Sequence, residues 1–218
     1  MQIIAPEIER YLAGLDRSTP LLETVAAEGA ALGLPNIDST VGSLLHAMVV
    51  ASGANSVLEI GTANGYSTLW MARALSPSGR LISIEMDADR AVLARGHLAT
   101  AGLANQVSVM VGDAARLVHK IAGPFDLIFN DGDKLQYEPL HDRLVELLRP
   151  GGLLITDNVL WEGEVVPGLV STPQRNPAET AAIAAFNTRL AGDSRLATSF
   201  LPVRDGVAIA IRRPVEAG

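Results

Sequence analysis

Five short apolar runs, each followed by a segment of helical length, constrain this chain more than any other feature. They are residues 56–60 (SVLEI), 80–85 (RLISIE), 106–111 (QVSVMV), 125–130 (FDLIFN) and 152–156 (GLLIT). Amphipathic stretches lie between them, at 67–75, 88–100, 114–121 and 140–148. Strands that alternate with helices build βαβ units and a parallel sheet. The near-continuous apolar character of the runs predicts strands covered on both faces. The expected fold is therefore α/β and Rossmann-like.

The flanks read differently. Residues 1–54 predict helices, with Leu44, Leu45, Met48 and Val49 at helical spacing in 41–50 and Asp38 or Ser39 as the cap. Near the end, ATSFLPV and GVAIAIRR flank Arg204-Asp205-Gly206. Asp-Gly between two strand-like runs signals a hairpin, so the sheet is expected to finish in an antiparallel pair. Residues 162–178 are rich in Pro and Gly without periodicity and predict a long surface loop. No repeat or linker interrupts the chain, which reads as a single domain: helices over 1–54 above a core at 55–218.

Composition excludes several classes. The 218 residues are 48% apolar, enough for one large core. The net charge is −7, which disfavours a protein built to coat nucleic acid or an anionic membrane. With no cysteine there is no disulfide, thiolate zinc site or thiol nucleophile. The first 16 residues lack the apolar core of a secretory leader, and no apolar stretch is long enough for a membrane span. The expected compartment is the cytoplasm. His46, His97, His119 and His141 are scattered over predicted helices and read as structural.

Two clusters stand at predicted strand ends. In VLEIGTANGYS, residues 57–67, Glu59 precedes a turn bracketed by Gly61 and Gly65. Glycine suits close backbone approach to a ligand, although the middle glycine of a pyrophosphate cradle is missing. The alternative is a plain strand–helix turn. Glu85 ends the next strand, where an acid can accept ribose hydroxyls or merely be solvated. Asp113 follows the third strand and could read an adenine edge, cap the next helix, or do both. The second cluster is NDGDK at 130–134 and TDNVLW at 156–161. If those strands are neighbours, Asp131, Asp157 and Asn158 converge. An all-oxygen set selects a hard cation, Mg²⁺, Mn²⁺ or Ca²⁺, and leaves coordination positions open. Independent caps are the alternative. Lys134 reads either as a surface ion-pair partner or as a base beside the cation.

The stretches VLEIGTANGYSTLWMARAL, FDLIFNDGDKLQY, LLRPGGLLITDNVLWEGEVV and LPVRDGVAIAIRR resemble the cation-dependent O-methyltransferases that use S-adenosylmethionine. The type is the catechol and caffeoyl-CoA one, in its small bacterial branch, and the likeness runs from about Asp38 to Arg213. It implies a class I methyltransferase sheet of seven strands in the order 3-2-1-4-5-7-6, with the last antiparallel. It implies a cofactor along Val41, Glu59, Gly61, Thr62, Ser67, Glu85, Met86, Asp113, Ala114 and Asp131, and a divalent cation on Asp131, Asp157 and Asn158. Lys134 would help deprotonate the acceptor, a small vicinal-diol aromatic lying against Trp161 and Tyr137. Homodimers are usual for the family. A second possibility keeps the chemistry but methylates a hydroxylated uridine in tRNA, with Arg175, Arg189, Arg195, Arg204, Arg212 and Arg213 as a basic patch. Asn130 departs from the family pattern, as does Gly132 in place of alanine.

Overall fold

The fold is described from a computed structural model of the chain, covering residues 6–15 and 18–214. The helical reading of 1–54 therefore extends over residues 1–5, 16 and 17, which lie outside the described residues. Seven strands form one sheet in the order β3-β2-β1-β4-β5-β7-β6. The residues group into two compact units, the first ending at Ala114 and the second beginning at Ala115.

In the first unit, helices α1 (Pro6–Leu15), α2 (Pro20–Ala31) and α3 (Ser39–Ser52) precede strand β1 (Ser56–Ile60). Asp38 is the cap of α3, its carboxylate accepting from the Val41 N–H at 2.9 Å. Helix α4 (Tyr66–Ala72), β2 (Arg80–Glu85), α5 (Ala88–Thr100) and β3 (Val107–Val111) follow. The strands β1, β2 and β3 pair in parallel, with Glu59 opposite Ser83 and Glu85 opposite Val111. Val57, Leu58, Leu81 and Ile84 are buried, as continuous apolar strands should be.

The second unit holds β4 (Phe125–Asn130), α7 (Tyr137–Leu147), β5 (Leu148–Asp157), α8 (Pro177–Gly192), β6 (Leu196–Leu201) and β7 (Val207–Arg212). Strands β4 and β5 are parallel, with Asn130 opposite Thr156; β7 is antiparallel to both β5 and β6. The Asp-Gly hairpin is thus where the sequence put it. Leu127, Ile128 and Phe129 have no exposed surface. No described helix is long and apolar enough to cross a membrane.

Two boundaries differ from expectation. Strand β5 begins at Leu148, not 152: Leu148 pairs with Phe125, a bulge follows, and the ladder with β4 resumes at Leu153, while Arg149 within the bulge bonds Asp126 at 2.6 Å. The helix α6 (Ala114–Leu117) stops well short of residue 121. There Arg143 donates to the carbonyls of Val118 and Ile121, at 3.2 and 2.9 Å, so a side chain from α7 satisfies carbonyls in the segment that leaves the helix.

Gly65 starts α4 at φ 89°, and a Cβ there would lie 3.2 Å from both Cα and Cβ of Ala94. Gly65→Ala combines a left-handed backbone with that contact and is expected to destabilise by about 1–3 kcal/mol in urea unfolding.

Candidate active site

The carboxyl edge of β1–β3 is a network around Glu59. This side chain is completely buried and accepts from the hydroxyls of Ser67 (2.5 Å), Thr68 (2.5 Å) and Ser83 (2.6 Å). Ser83 also pairs with Thr62 Oγ1 at 2.5 Å. Hydrogen bonds to both carboxylate oxygens make a buried acid tolerable. The loop after β1 carries positive φ at Gly61 (94°), Ala63 (48°) and Gly65 (89°). Three fastenings hold it. Glu85 accepts from the Ala63 N–H at 2.7 Å. Buried Asn64 donates to the Val25 carbonyl at 2.8 Å, and His97 meets the Asn64 carbonyl at 2.8 Å. His97 is thus structural, as the sequence suggested. The loop is shaped before any ligand arrives, which lowers the cost of binding one.

Predicted cofactor residues Glu59, Gly61, Thr62, Ser67 and Glu85 are gathered by these bonds. Met86 is exposed beside Glu85, Asp113 is half-buried ahead of α6, and Ala114 opens that helix. Val41 is buried in the first turn of α3. Thr68 and Ser83 had no sequence motif to announce them; only a polar residue within an apolar strand marked Ser83.

The edge of β4–β5 is built differently. Lys134 Nζ donates to Asp131 Oδ1 and to the Tyr137 hydroxyl, both at 2.8 Å, and Tyr137 donates to the Asp157 carbonyl at 3.1 Å. One chain of bonds therefore ties the ends of β4 and β5. Asp133 caps the turn that carries Lys134, accepting from the Leu135 N–H at 3.0 Å. Lys134 also lies 4.9 Å from the Tyr137 ring centre and 5.9 Å from that of Trp161, and Arg175 covers the Trp161 ring at 4.7 Å. Asn158, at φ 60°, donates through Nδ2 to Asp205 at 3.0 Å.

The electrostatics are unbalanced. Burial raises the Asp157 carboxyl to about 7, and the Asp131 charge adds to the effect. Burial also raises Asp131, against the pull of Lys134. Asp157 Oδ1 is buried without a hydrogen-bond partner. Burial opposes the Lys134 ammonium, but the phenol oxygen and Asp131 outweigh it and hold the amine above its ordinary range. Two acids raised together, with an unmatched oxygen, are what a missing positive charge produces. The donor chemistry of Asp131, Asp157 and Asn158 therefore fits a hard divalent cation.

Tyr137 is placed differently from the expectation. Its ring has no exposed surface and packs edge-on against Phe186 at 5.4 Å. It braces Lys134 and β5 instead of presenting a face to an acceptor. Trp161 is nearly buried between Lys134 and Arg175. Nothing in the structure explains Asn130, whose amide atoms and neighbouring Thr156 hydroxyl are buried without partners. A second acidic group, His141, Asp142 and Asp193, is not a cation site. Arg189 and Arg195 take both oxygens of Asp142, while Arg195 and His141 hold Asp193.

The comparisons with known proteins agree with this geometry. The O-methyltransferase family model matches residues 18–213. A catechol O-methyltransferase of Niastella koreensis is 35% identical, over 95% of this chain and 97% of its own length. An O-methyltransferase from Bacillus cereus, solved with SAH, superposes with a TM-score of 0.85 at 32% identity, covering 95% of this chain and 97% of that one. TomG from Streptomyces achromogenes, an O-methyltransferase of tomaymycin synthesis solved with SAM, gives 0.86 at 30% identity, covering 95% and 96%. The sheet order and these likenesses place the chain among methyltransferases of the seven-stranded α/β class. The chain belongs to the O-methyltransferase family.

The raised Asp157 has a consequence for stability. An acid whose folded pKa lies above its unfolded value leaves stability intact at low pH and removes it as pH rises toward the folded pKa. Without cations, Asp157→Asn should match the parent near pH 4 and exceed it above about pH 7 by on the order of 1–2 kcal/mol, read by thermal unfolding across pH.

Proposed function

We propose that the chain transfers the methyl group of S-adenosylmethionine to a hydroxyl of a small vicinal-diol aromatic, of the catechol or caffeoyl type. In this reading Asp131, Asp157 and Asn158 hold a divalent cation, Mg²⁺ or a similar hard ion. The observation that carries it is the pair of acids at the ends of β4 and β5, Asp131 partly buried and Asp157 buried with an unpartnered oxygen. The names of the relatives support the acceptor class, and the SAM and SAH in the related structures support the donor.

The β1–β3 edge would bind the donor: the 61–65 loop and Ser67 at its amino-acid part, Glu85 at the ribose, and Met86, Asp113 and Ala114 at the base. A bound cation would stabilise the acceptor oxyanion and so lower the hydroxyl pKa. Lys134 handles the proton at Nζ. Facing Asp131 alone it is an ammonium and cannot accept a proton; a cation drawing off the Asp131 charge would let that ammonium release a proton to solvent, and the neutral amine could then take the hydroxyl proton. The oxygen then forms its bond to the methyl carbon as the carbon–sulfur bond breaks, turning the sulfonium into a thioether. Trp161, backed by Arg175, flanks the acceptor ring.

The arginines favour a small acceptor over RNA. Arg175 is paired with Glu162, Arg189 with Glu138 and Asp142, and Arg195 with Asp142 and Asp193. Arg212 and Arg213 donate to backbone carbonyls of Leu148 and Leu196. The homodimer expected from the resemblance finds support in α1, which exposes Ile8, Tyr11, Leu12 and Leu15 at helical spacing.

The purified chain, given S-adenosylmethionine and catechol, should form the monomethyl ether, seen by mass spectrometry. EDTA should lower turnover about 100-fold, and Lys134→Ala should lower kcat by about 100-fold or more. Equal turnover after EDTA contradicts the cation. Failure on every vicinal-diol aromatic, with steeply salt-dependent tRNA binding, would turn the reading toward RNA.

A further inference from the structure

The hairpin between β6 and β7 reaches across to the end of β5 and grips it. Asp205 and Gly206 form its tip, closed by the Gly206 N–H donating to the Val203 carbonyl at 2.8 Å. The Asp205 carbonyl accepts from the Leu160 N–H at 2.8 Å, and the Gly206 carbonyl accepts from the Val159 N–H at 3.1 Å. Gly206 stands at φ 87°, and a Cβ there would meet the Leu160 nitrogen at 2.7 Å. The segment just after β5 is therefore pressed directly onto the hairpin backbone.

The Asp205 side chain continues the grip in two directions. Oδ2 accepts from Asn158 Nδ2 at 3.0 Å, and Oδ1 accepts from the Glu162 N–H at 2.5 Å. Both partners have left-handed backbone, Asn158 at φ 60° and Glu162 at φ 55°. Such conformations cost free energy in a non-glycine residue and persist where the surroundings fix them. A carboxylate has no proton to give. It can pair only with the NH₂ end of the Asn158 amide, so the amide cannot flip while that bond stands. Its oxygen is the end that remains for another partner.

We propose that Asp205 is a positioning residue for the cation: it fixes the Asn158 amide so that Oδ1, not Nδ2, is offered beside Asp131 and Asp157. The inference rests on the reading of Asp131, Asp157 and Asn158 as cation ligands. Partners that orient a ligating side chain commonly matter to affinity by 10–100-fold when removed. Without Asp205 the amide is free to present its NH₂ group, which repels a cation.

The test is Mn²⁺ affinity of the whole protein, measured by electron paramagnetic resonance of the free ion, with no turnover required. Asp157→Ala serves as the variant that should abolish binding. Asp205→Ala should weaken Mn²⁺ by about 10–100-fold and change S-adenosylmethionine affinity less than about twofold. If Asp205→Ala does not fold, Asp205→Leu, which fills the volume and cannot accept a hydrogen bond, is read in its place. The decisive arm is the double substitution. Once Asn158 is alanine there is no amide to orient, so adding Asp205→Ala should cost no further affinity. An equal loss in both backgrounds would show that Asp205 acts through its charge alone and would overturn the proposal. Unchanged affinity in the single Asp205 variants, with binding abolished by Asp157→Ala, would overturn it while leaving the cation reading intact. A parent protein that binds no Mn²⁺ would overturn both.

Discussion

Two carboxylates, partly buried Asp131 and buried Asp157, stand at the ends of neighbouring strands, and the second unit is arranged around that conflict. Burial raises the pKa of both acids, and the Asp131 charge raises Asp157 further. Lys134 answers one of them through its 2.8 Å bond to Asp131, and Tyr137 then links that lysine to the backbone of Asp157. The phenol sits in the core against Phe186 and cannot swing away, so the ammonium is held in place. What remains is one buried carboxylate oxygen without a partner. The protein keeps an unfavourable charge arrangement at this edge of the sheet. Such an arrangement is expected where function needs it.

The other cluster shows the contrast. Glu59 is also a buried acid at a strand end, yet three hydroxyls satisfy it within the protein. It reads as scaffold for the Gly61–Gly65 turn, with Glu85 and Asn64 fastening the same loop from either side. One strand-edge acid is complete in itself and the other pair is not. In the proposed function, that difference separates the acid that shapes the donor loop from the acids that would meet a cation.

Much of this was legible in the sequence. Strands with continuous apolar faces announce themselves, and the polar residues that follow each one immediately are carried to the sheet edge by the topology alone. Asp131, Asp157, Asn158, Glu59 and Glu85 are placed at strand ends in that way. Effects that depend on a partner distant in sequence were not legible. Arg143 satisfies carbonyls beyond the end of α6 from another helix, and Arg149 bonds Asp126 from a bulge in β5. Tyr137 follows Lys134 by three residues, which predicts that the two share a neighbourhood, but not that the ring points inward. Asp205 lies 47 residues beyond Asn158. The sequence showed it as a turn residue, and only the antiparallel closure of β7 on β5 brings it to the site.

If Asp131 and Asp157 form a cation site, the Asp157 carboxyl reports on it directly. Its titration can be followed by carbon NMR of aspartate-labelled protein, with and without Mg²⁺. The account predicts a midpoint near 7 in cation-free protein, falling to or below the ordinary carboxylate range when Mg²⁺ is present. A midpoint that Mg²⁺ leaves unmoved would contradict it.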